Sequence, residues 1–226
     1  MIKDPKSLRL KYDLIRASYD NQPELAFQDL MDHKRLPFLE DQIGYDQCNP
    51  HHDRLLWDHT LEVVKQTKLM GGSPLAVLTA LLHDIAKPVQ YQNVFICECG
   101  ARNRINKGSL FVKDLPGCDH SIQDWTFDKK QFISHDKLGA TMAFNLLTDL
   151  SFTYKDIDAI VLIIDLHQQD YRIASPKVVK KFIDTVGLEL APDFIAFLKG
   201  DRLGHAPGEY STIDYLETLE KELGIK

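Results

Sequence analysis

The sequence predicts an all-α helical bundle that carries a small β-rich insertion. Apolar residues recur at helical spacing over most of the 226-residue chain, and prolines or capping residues stand where helices would begin. Between residues 89 and 134 this spacing gives way to short apolar runs, which glycine, asparagine and charged residues separate. Hydrophobic residues make up 44% of the chain, enough for a sizeable core. We therefore expect a single domain over residues 1–226, with the insertion at 89–134 inside it.

Composition and charge argue against several classes of protein. The longest apolar run, residues 159–164, is too short to cross a bilayer, and the N-terminus has no apolar signal region. A net charge of -6 disfavours nonspecific binding to nucleic acid but leaves room for a local basic groove. Three of the four cysteines are clustered, which favours reduced thiols or a metal site over a disulfide framework. We expect a soluble cytoplasmic protein without a membrane partner; its oligomeric state is not indicated.

Two helices are predicted in the first part of the chain. Residues 7–19 have apolar side chains at helical spacing, and Pro23 starts a second amphipathic segment. Their apolar side chains are assigned to the core, namely Leu8, Tyr12, Ile15, Tyr19, Leu25, Phe27, Leu30 and Met31. After a short helix or turn from Pro37, residues 44–53 form a predicted loop.

The next two helices bring polar groups onto apolar faces. One is predicted over residues 53–70, with His59 among the apolar residues of one side. The other is predicted over residues 75–87, and it carries the adjacent pair His83 and Asp84 between apolar neighbours. Because only a short turn joins the two helices, we expect them to pack antiparallel and these three side chains to converge.

Helices are predicted again after the insertion. Their approximate ranges are 134–146, 155–169, 176–183, 192–201 and 209–223. The first of them has His135 in its opening turn, whereas His167 and Asp201 fall on the apolar faces of later helices.

Hard-to-bury side chains therefore occupy predicted core positions on separate helices. These are His59, His83, Asp84, His135, His167 and Asp201. One such residue is ordinarily a core group paired locally, but burial of so many polar groups is costly and indicates a common partner. Imidazole and carboxylate without thiolate suit one or two divalent ions, chosen among Mn, Fe, Co, Ni, Zn and Mg. Two ions would use the whole set, with Asp84 as the bridge.

The ordered pattern of His59, His83 with Asp84, and Asp201 resembles the HD superfamily of metal-dependent phosphohydrolases. Three segments resemble, more specifically, the HD domains attached to bacterial CCA-adding tRNA nucleotidyltransferases. They are residues 49–61, 80–88 and 134–140. No paired-carboxylate strand motif precedes the helices, so nucleotide addition is not predicted.

The resemblance implies roles for individual residues. His59, His83, Asp84 and Asp201 correspond to ligands of a principal metal, and His135 and His167 fall where two-metal members have further ligands. Asp84 would also orient the attacking water, and Lys87 would stabilise negative charge that develops on the phosphate. Several outer residues are candidates for binding phosphate or the leaving group, with solvated surface side chains as the alternative. They are His51, His52, Arg54, Arg202 and His205.

The insertion has its own candidate ligands. Cys97, Cys99, Cys118 and His120 could form a structural zinc site similar to a zinc ribbon, and Cys48 could replace one of them. The one-residue spacing within each pair departs from the usual two, so reduced cysteines without metal are the alternative. Basic side chains could guide a nucleotide or an RNA end, although they could equally be solvated. They are Arg102, Arg104, Lys107 and Lys113.

Three classes of function remain open. The first is a phosphomonoesterase or phosphodiesterase, including one that opens 2′,3′-cyclic phosphates, acting on nucleotides or nucleic-acid ends. The second is a deoxynucleotidase or nucleoside triphosphate hydrolase. The third is a non-catalytic binding module stabilised by metal. The set of metal ligands is complete, which favours an enzyme.

Overall fold

The computed structural model describes residues 4–109, 118, 121–169, 176–205 and 213–225. The chain is mainly helical, and a three-stranded antiparallel sheet lies between its fourth and fifth α-helices. This architecture confirms the predicted fold class. No helix in the described ranges is long and apolar enough to span a membrane.

The helices and strands follow in chain order. They are α1 (Pro5–Tyr19), α2 (Pro23–Asp32), a 3-10 helix (Pro37–Gln42), α3 (Leu56–Leu69), α4 (Pro74–Leu82), β1 (Gln92–Cys97), β2 (Arg102–Asn106), a 3-10 helix (Ile122–Asp124), β3 (Trp125–Gln131), α5 (His135–Asp149), α6 (Tyr154–Leu166), α7 (Pro176–Val186), α8 (Ala191–Gly204) and α9 (Ile213–Leu223).

Polar side chains cap the starts of several helices. Asp4 and Ser73 accept hydrogen bonds from backbone N–H groups in the first turns of α1 and α4, and a proline follows each cap. Thr153 caps α6 in the same way. A side-chain oxygen at this position satisfies an N–H group that has no partner within the helix, so these residues fix where the helices begin.

The fourth helix ends earlier than predicted. α4 stops at Leu82, and residues 83–89 form successive turns instead of continuing to Lys87. The backbone hydrogen bonds here span three residues, as in a 3-10 turn: the N–H of Lys87 bonds to the carbonyl of Asp84 at 3.1 Å. The conformation required before Pro88 disfavours a continuing α-helix. His83 and Asp84 thus lie just beyond the end of a helix, and Lys87 stays on the same side as Asp84.

The predicted core face of the first helix is wrong. Tyr12 and Tyr19 are 65% and 68% exposed, whereas Leu14 and Ala17 are buried. Leu8 and Leu25, also assigned to the core, are exposed as well. The helix has apolar residues on more than one side, and its packing against α2 and α4 decides which side is covered.

The sheet has the strand order β2-β1-β3. The apolar runs at residues 90–97 and 109–112 of the insertion predict two strands. The first is present as β1, but the sequence did not indicate β2 or β3. Of the other predicted strand, residues 109–112, all but Ser109 lie outside the described residues. The backbone of Lys130 in β3 donates to the carbonyl of Cys48, which joins the sheet to the loop before α3.

Two glycines allow α8 to approach α3 closely. A Cβ atom on Gly200 would lie 2.7 Å from the backbone nitrogen of Thr67, and one on Gly204 would lie 2.6 Å from Val63 Cγ2. Any larger side chain would therefore push the helices apart. Because Asp201 lies between these glycines, their close approach brings it to the side of α3 that carries His59.

Candidate metal centre

Six polar side chains from five parts of the chain meet in one buried centre. His59 comes from α3, His83 and Asp84 follow α4, His135 begins α5, His167 follows α6, and Asp201 lies in α8. Each of the six is at most 3% exposed. All are residues that the sequence predicted to face inward, and the structure brings all of them together.

The first group of ligand atoms comes from His59, His83 and Asp201. Asp201 Oδ1 lies 3.6 Å from Nε2 of each histidine. Asp84 Oδ2 faces the same group, at 3.0 Å from His83 Nε2 and 3.5 Å from His59 Nε2. Atoms bound to one ion at about 2.1 Å lie roughly 3.0–3.4 Å apart, so this spacing is close to that of a coordination shell.

The second group consists of Asp84, His135 and His167. Asp84 Oδ1 lies 3.1 Å from His135 Nε2 and 4.0 Å from His167 Nε2, and the two nitrogens are 3.1 Å apart. The two oxygens of Asp84 thus face different groups. This is the arrangement of a carboxylate that can contact two ions.

Each histidine of the centre is oriented by a backbone carbonyl. In all four rings, Nδ1 lies within hydrogen-bond distance of a carbonyl oxygen, at 2.6–3.1 Å. The carbonyl is that of Gly204 for His59, Ala80 for His83, Phe132 for His135 and Ile164 for His167. A carbonyl only accepts, so Nδ1 must carry the proton. In the neutral form of such a ring, Nε2 keeps a lone pair that faces the centre, as a metal ligand requires.

Several buried atoms of the centre lack a hydrogen bond within the described part of the chain, although the ammonium group of Lys87 lies 2.8 Å from Asp84 Oδ2. Among the described residues, no hydrogen bond of acceptable geometry reaches Nε2 of His59 or His83, either oxygen of Asp84, or Asp201 Oδ2. Buried polar atoms without a partner are costly and rare. Nitrogen and carboxylate oxygen are good ligands for divalent cations, so the residues present fit one or two such ions.

The carboxyl groups of the centre are ionised. Burial opposes ionisation of Asp84, but the neighbouring ring of His83, the ammonium group of Lys87 and the rings of His135 and His59 hold its pKa well below the usual value. Burial opposes ionisation of Asp201 in the same way, and the neighbouring rings of His205 and His59 keep its pKa low. Both groups are therefore anionic at neutral pH, as metal ligands must be.

Two imidazoles are held neutral. Burial, together with the neighbouring His135 and His83, lowers the pKa of His167 to about 3. Burial lowers the pKa of His205 to about 4, against the opposing charge of Asp201.

Lys87 brings a buried positive charge next to Asp84. Its Nζ lies 2.8 Å from Asp84 Oδ2 and donates to Gln47 Oε1 at 2.8 Å, and it stands 5.1 Å above the ring of Phe132. Gln47 is almost fully buried and also donates to the carbonyl of Arg54 at 3.3 Å. Sequence reasoning missed Gln47, because it lies in a loop without periodicity.

A pocket of about 370 Å³ opens onto the centre. Its wall includes His51, His52, Arg202 and His205, which the sequence had assigned to phosphate binding. Arg54, assigned with them, is not among the lining residues; its guanidinium donates instead to the carbonyl of Gly204 at 3.0 Å. The prediction for Arg54 therefore has no support from its position.

Three histidines form a further group beside the centre. Ligand nitrogens of His52, His59 and His205 lie within 4.8 Å of one another, and the ring centroids of His52 and His205 are 4.8 Å apart. His205 Nε2 also lies 3.6 Å from Asp201 Oδ1. The sequence predicted both His52 and His205 as outer residues of the site, but not that their rings would be in contact.

The predicted cysteine ligands also come together. Sulfur atoms of Cys97, Cys99 and Cys118 form one group, whereas His120 lies outside the described residues. Cys48 is not part of this group; its sulfur contacts the carbonyl of Asp46.

The predicted basic surface of the insertion has a mixed outcome. Arg102 is exposed, and Arg104 donates to Gln131 across the sheet. Lys107 donates to the carbonyl of Pro88 at 2.9 Å. Lys113 lies outside the described residues. Guidance of a nucleotide or RNA end by this surface stays a prediction.

Comparison with known families gives one match. The family model described as the HD domain matches residues 56–192, more than half of the chain. The matched range includes five residues of the buried centre and ends before Asp201. No curated protein matches the sequence. The resemblance to HD domains of CCA-adding enzymes therefore stays a prediction.

Proposed function

The chain belongs to the HD domain family, and from this membership and the geometry of the buried centre we propose that it hydrolyses phosphate esters of nucleotides or nucleic-acid ends. HD domains are in general metal-dependent phosphohydrolases. The observation that carries the proposal is the position of Asp84, whose two oxygens face separate groups of buried ligand atoms.

The residues would divide between two ions. His59, His83 and Asp201 would hold one, His135 and His167 would hold the other, and Asp84 would contact both. Such ions lower the pKa of a coordinated water and withdraw charge from a phosphoryl oxygen when they are bound. The ligand set accepts Mn, Fe, Co, Ni, Zn or Mg, so the metal is to be identified by measurement.

Lys87 supplies a positive charge directly beside Asp84. Its ammonium group lines the pocket and is held there by Gln47 and Asp84. A fixed cation in a buried position stabilises negative charge that develops on a phosphoryl oxygen more strongly than a solvated one does. We assign to Lys87 the role of stabilising the transition state, and to Gln47 the role of positioning it.

The outer wall of the pocket suits a phosphate ester of nucleotide size. Arg202 can form paired hydrogen bonds to phosphate oxygens, and the imidazoles of His51, His52 and His205 also belong to the pocket wall. A volume of about 370 Å³ is in the range of small-molecule sites. These groups support a phosphomonoester or phosphodiester as substrate, including a 2′,3′-cyclic phosphate.

The proposal is tested by turnover of a defined substrate panel. Protein stripped of metal is reconstituted with Mn, Co, Ni, Zn or Mg and given 2′,3′-cyclic nucleotides, RNA with a 3′-phosphate, deoxynucleoside monophosphates and nucleoside triphosphates. We expect metal-dependent hydrolysis of the cyclic or terminal phosphates. Preference for free deoxynucleotides or triphosphates would replace our assignment of substrate. Bound metal without any turnover would instead indicate a binding module.

A further inference from the structure

The three cysteines of the sheet form a second group of metal ligands, remote from the pocket. Cys97 is the last residue of β1, Cys99 lies in the turn that leads to β2, and Cys118 belongs to the segment between β2 and β3. We propose that these three side chains bind a zinc ion that fastens the sheet and is independent of the His and Asp centre.

The distances between the sulfur atoms fit a shared ion. Cys118 Sγ lies 3.5 Å from Cys97 Sγ and 3.6 Å from Cys99 Sγ. A disulfide bond is about 2.05 Å long, so these atoms are too far apart to be bonded to each other. Thiolates bound to one zinc ion at about 2.3 Å in a tetrahedron lie roughly 3.8 Å apart, which is close to the observed spacing.

The backbone explains why a one-residue spacing is sufficient. The N–H of Gly100 bonds to the carbonyl of Cys97 at 2.8 Å, and the N–H of Cys97 bonds to the carbonyl of Ala101 at 2.8 Å. Gly100 has a φ of 87°, a left-handed conformation that glycine adopts without strain. This tight turn places the sulfurs of Cys97 and Cys99 within 4.8 Å of each other.

The chemistry of the ligands separates this site from the buried centre. Thiolates prefer zinc over magnesium or manganese, whereas the centre has nitrogen and oxygen ligands alone. Three thiolates occupy three corners of a tetrahedral site, and a water molecule or a further side chain can complete it. Each site can therefore be filled without the other.

The position of the cluster indicates what the zinc ion does. It joins the end of β1 to the chain that precedes β3, next to the pairing of Cys97 with Trp125. β3 has seven residues and so spans about 20 Å. At its far end, Gln131 and the following Phe132 line the pocket. A zinc ion here would hold the start of a strand whose other end forms part of the pocket wall.

Cobalt spectroscopy tests the site without using enzyme activity. The full chain is stripped of metal and titrated with Co²⁺, which gives thiolate-to-metal charge-transfer absorption only where sulfur is a ligand. We expect this absorption in the wild type, and a loss of at least half of it in Cys97→Ser, Cys99→Ser and Cys118→Ser. Cobalt bound at the His and Asp centre does not contribute, because that centre has no sulfur.

Cys48→Ser is the matched control. Its sulfur lies outside the cluster, so the absorption should equal that of the wild type. Cys99 is exposed, so its replacement by serine should leave the fold intact by circular dichroism. Absence of the absorption in the wild type, or its persistence in Cys99→Ser, would overturn the proposal, whatever the protein hydrolyses.

Hydrogen exchange tests the fastening role. Amide exchange in β1 and β3 should be at least several times faster in Cys99→Ser than in Cys48→Ser, because local opening of the sheet no longer requires loss of the ion. Equal exchange in the two variants would show that the ion does not fasten the sheet.

Discussion

The buried centre and the cysteine cluster are both groups of metal ligands, but the chain builds them differently. The ligands of the centre come from α3, α5, α8 and the ends of α4 and α6, and each is almost fully covered. The cysteines come from one strand, its turn and one neighbouring segment, and Cys99 is exposed. The first group depends on the packing of the whole helical core, whereas the second needs only local chain geometry. Changes to the two groups should therefore have effects of very different size.

Replacing Asp84 should have the largest effect. Asp84→Asn keeps the shape of the side chain but removes the charge that faces both ligand groups, so we expect turnover to fall by roughly 10³-fold or more and metal content to drop. Phosphate-ester hydrolysis and elemental analysis measure the two effects. Asp158→Asn, at an exposed position in α6, is the control. Full activity in Asp84→Asn would refute its assignment to the centre.

Replacing Lys87 should lower turnover without releasing metal. Lys87→Met keeps most of the apolar stem and removes the ammonium group, so we expect kcat to fall by about 10²-fold at unchanged metal content. Lys180→Met, at an exposed position in α7, should be neutral. Loss of metal in Lys87→Met would instead mean that the lysine supports the ligands and not the transition state.

Replacing Gln47 should have a smaller effect of the same kind. Gln47→Leu removes the acceptor that holds Lys87 Nζ at 2.8 Å, and we expect kcat to fall by about tenfold while KM changes little. Gln47→Glu, which keeps an acceptor oxygen, should restore part of the rate. A change confined to thermal stability, with kcat unaffected, would contradict a positioning role.

Separating α3 from α8 should weaken the centre through packing alone. Gly200→Ala places a Cβ atom against the backbone of Thr67, so we expect the free energy of unfolding to fall by about 1–3 kcal/mol. Metal affinity should fall with it, because Asp201 moves relative to His59. Denaturant unfolding and metal titration measure these changes. Unchanged values would show that the two helices can adjust without cost.

Replacing Cys99 should have the smallest effect on catalysis. Cys99→Ser should lower zinc content and leave turnover within about threefold of the wild type. The cysteine cluster lies near the start of β3, so a change there reaches the pocket only through the length of the strand. Parallel elemental analysis and kinetics on Cys48→Ser provide the reference. A loss of turnover as large as in Asp84→Asn would show that the cysteine cluster is as important for catalysis as the buried centre.

The inward-facing polar residues were predictable because the apolar residues around them are close to them in sequence. His59 and Asp201 lie at helical spacing from apolar residues, so the face that carries them has to be buried whatever it packs against. His83 and Asp84 sit between apolar neighbours for the same reason. Gln47 and the strands β2 and β3 were missed, because a buried loop glutamine and largely polar strands have no clear periodic pattern.

The sequence by itself determined the helical class and the six polar residues that face inward, because both depend on side chains a few positions apart. Only the tertiary structure decided which face of α1 is covered, how Asp84 divides its two oxygens between histidines of different helices, and which outer residues line the pocket. Those features depend on contacts between segments distant in the chain. The close approach of α8 to α3 at Gly200 and Gly204 is one such contact, and no local pattern specifies it.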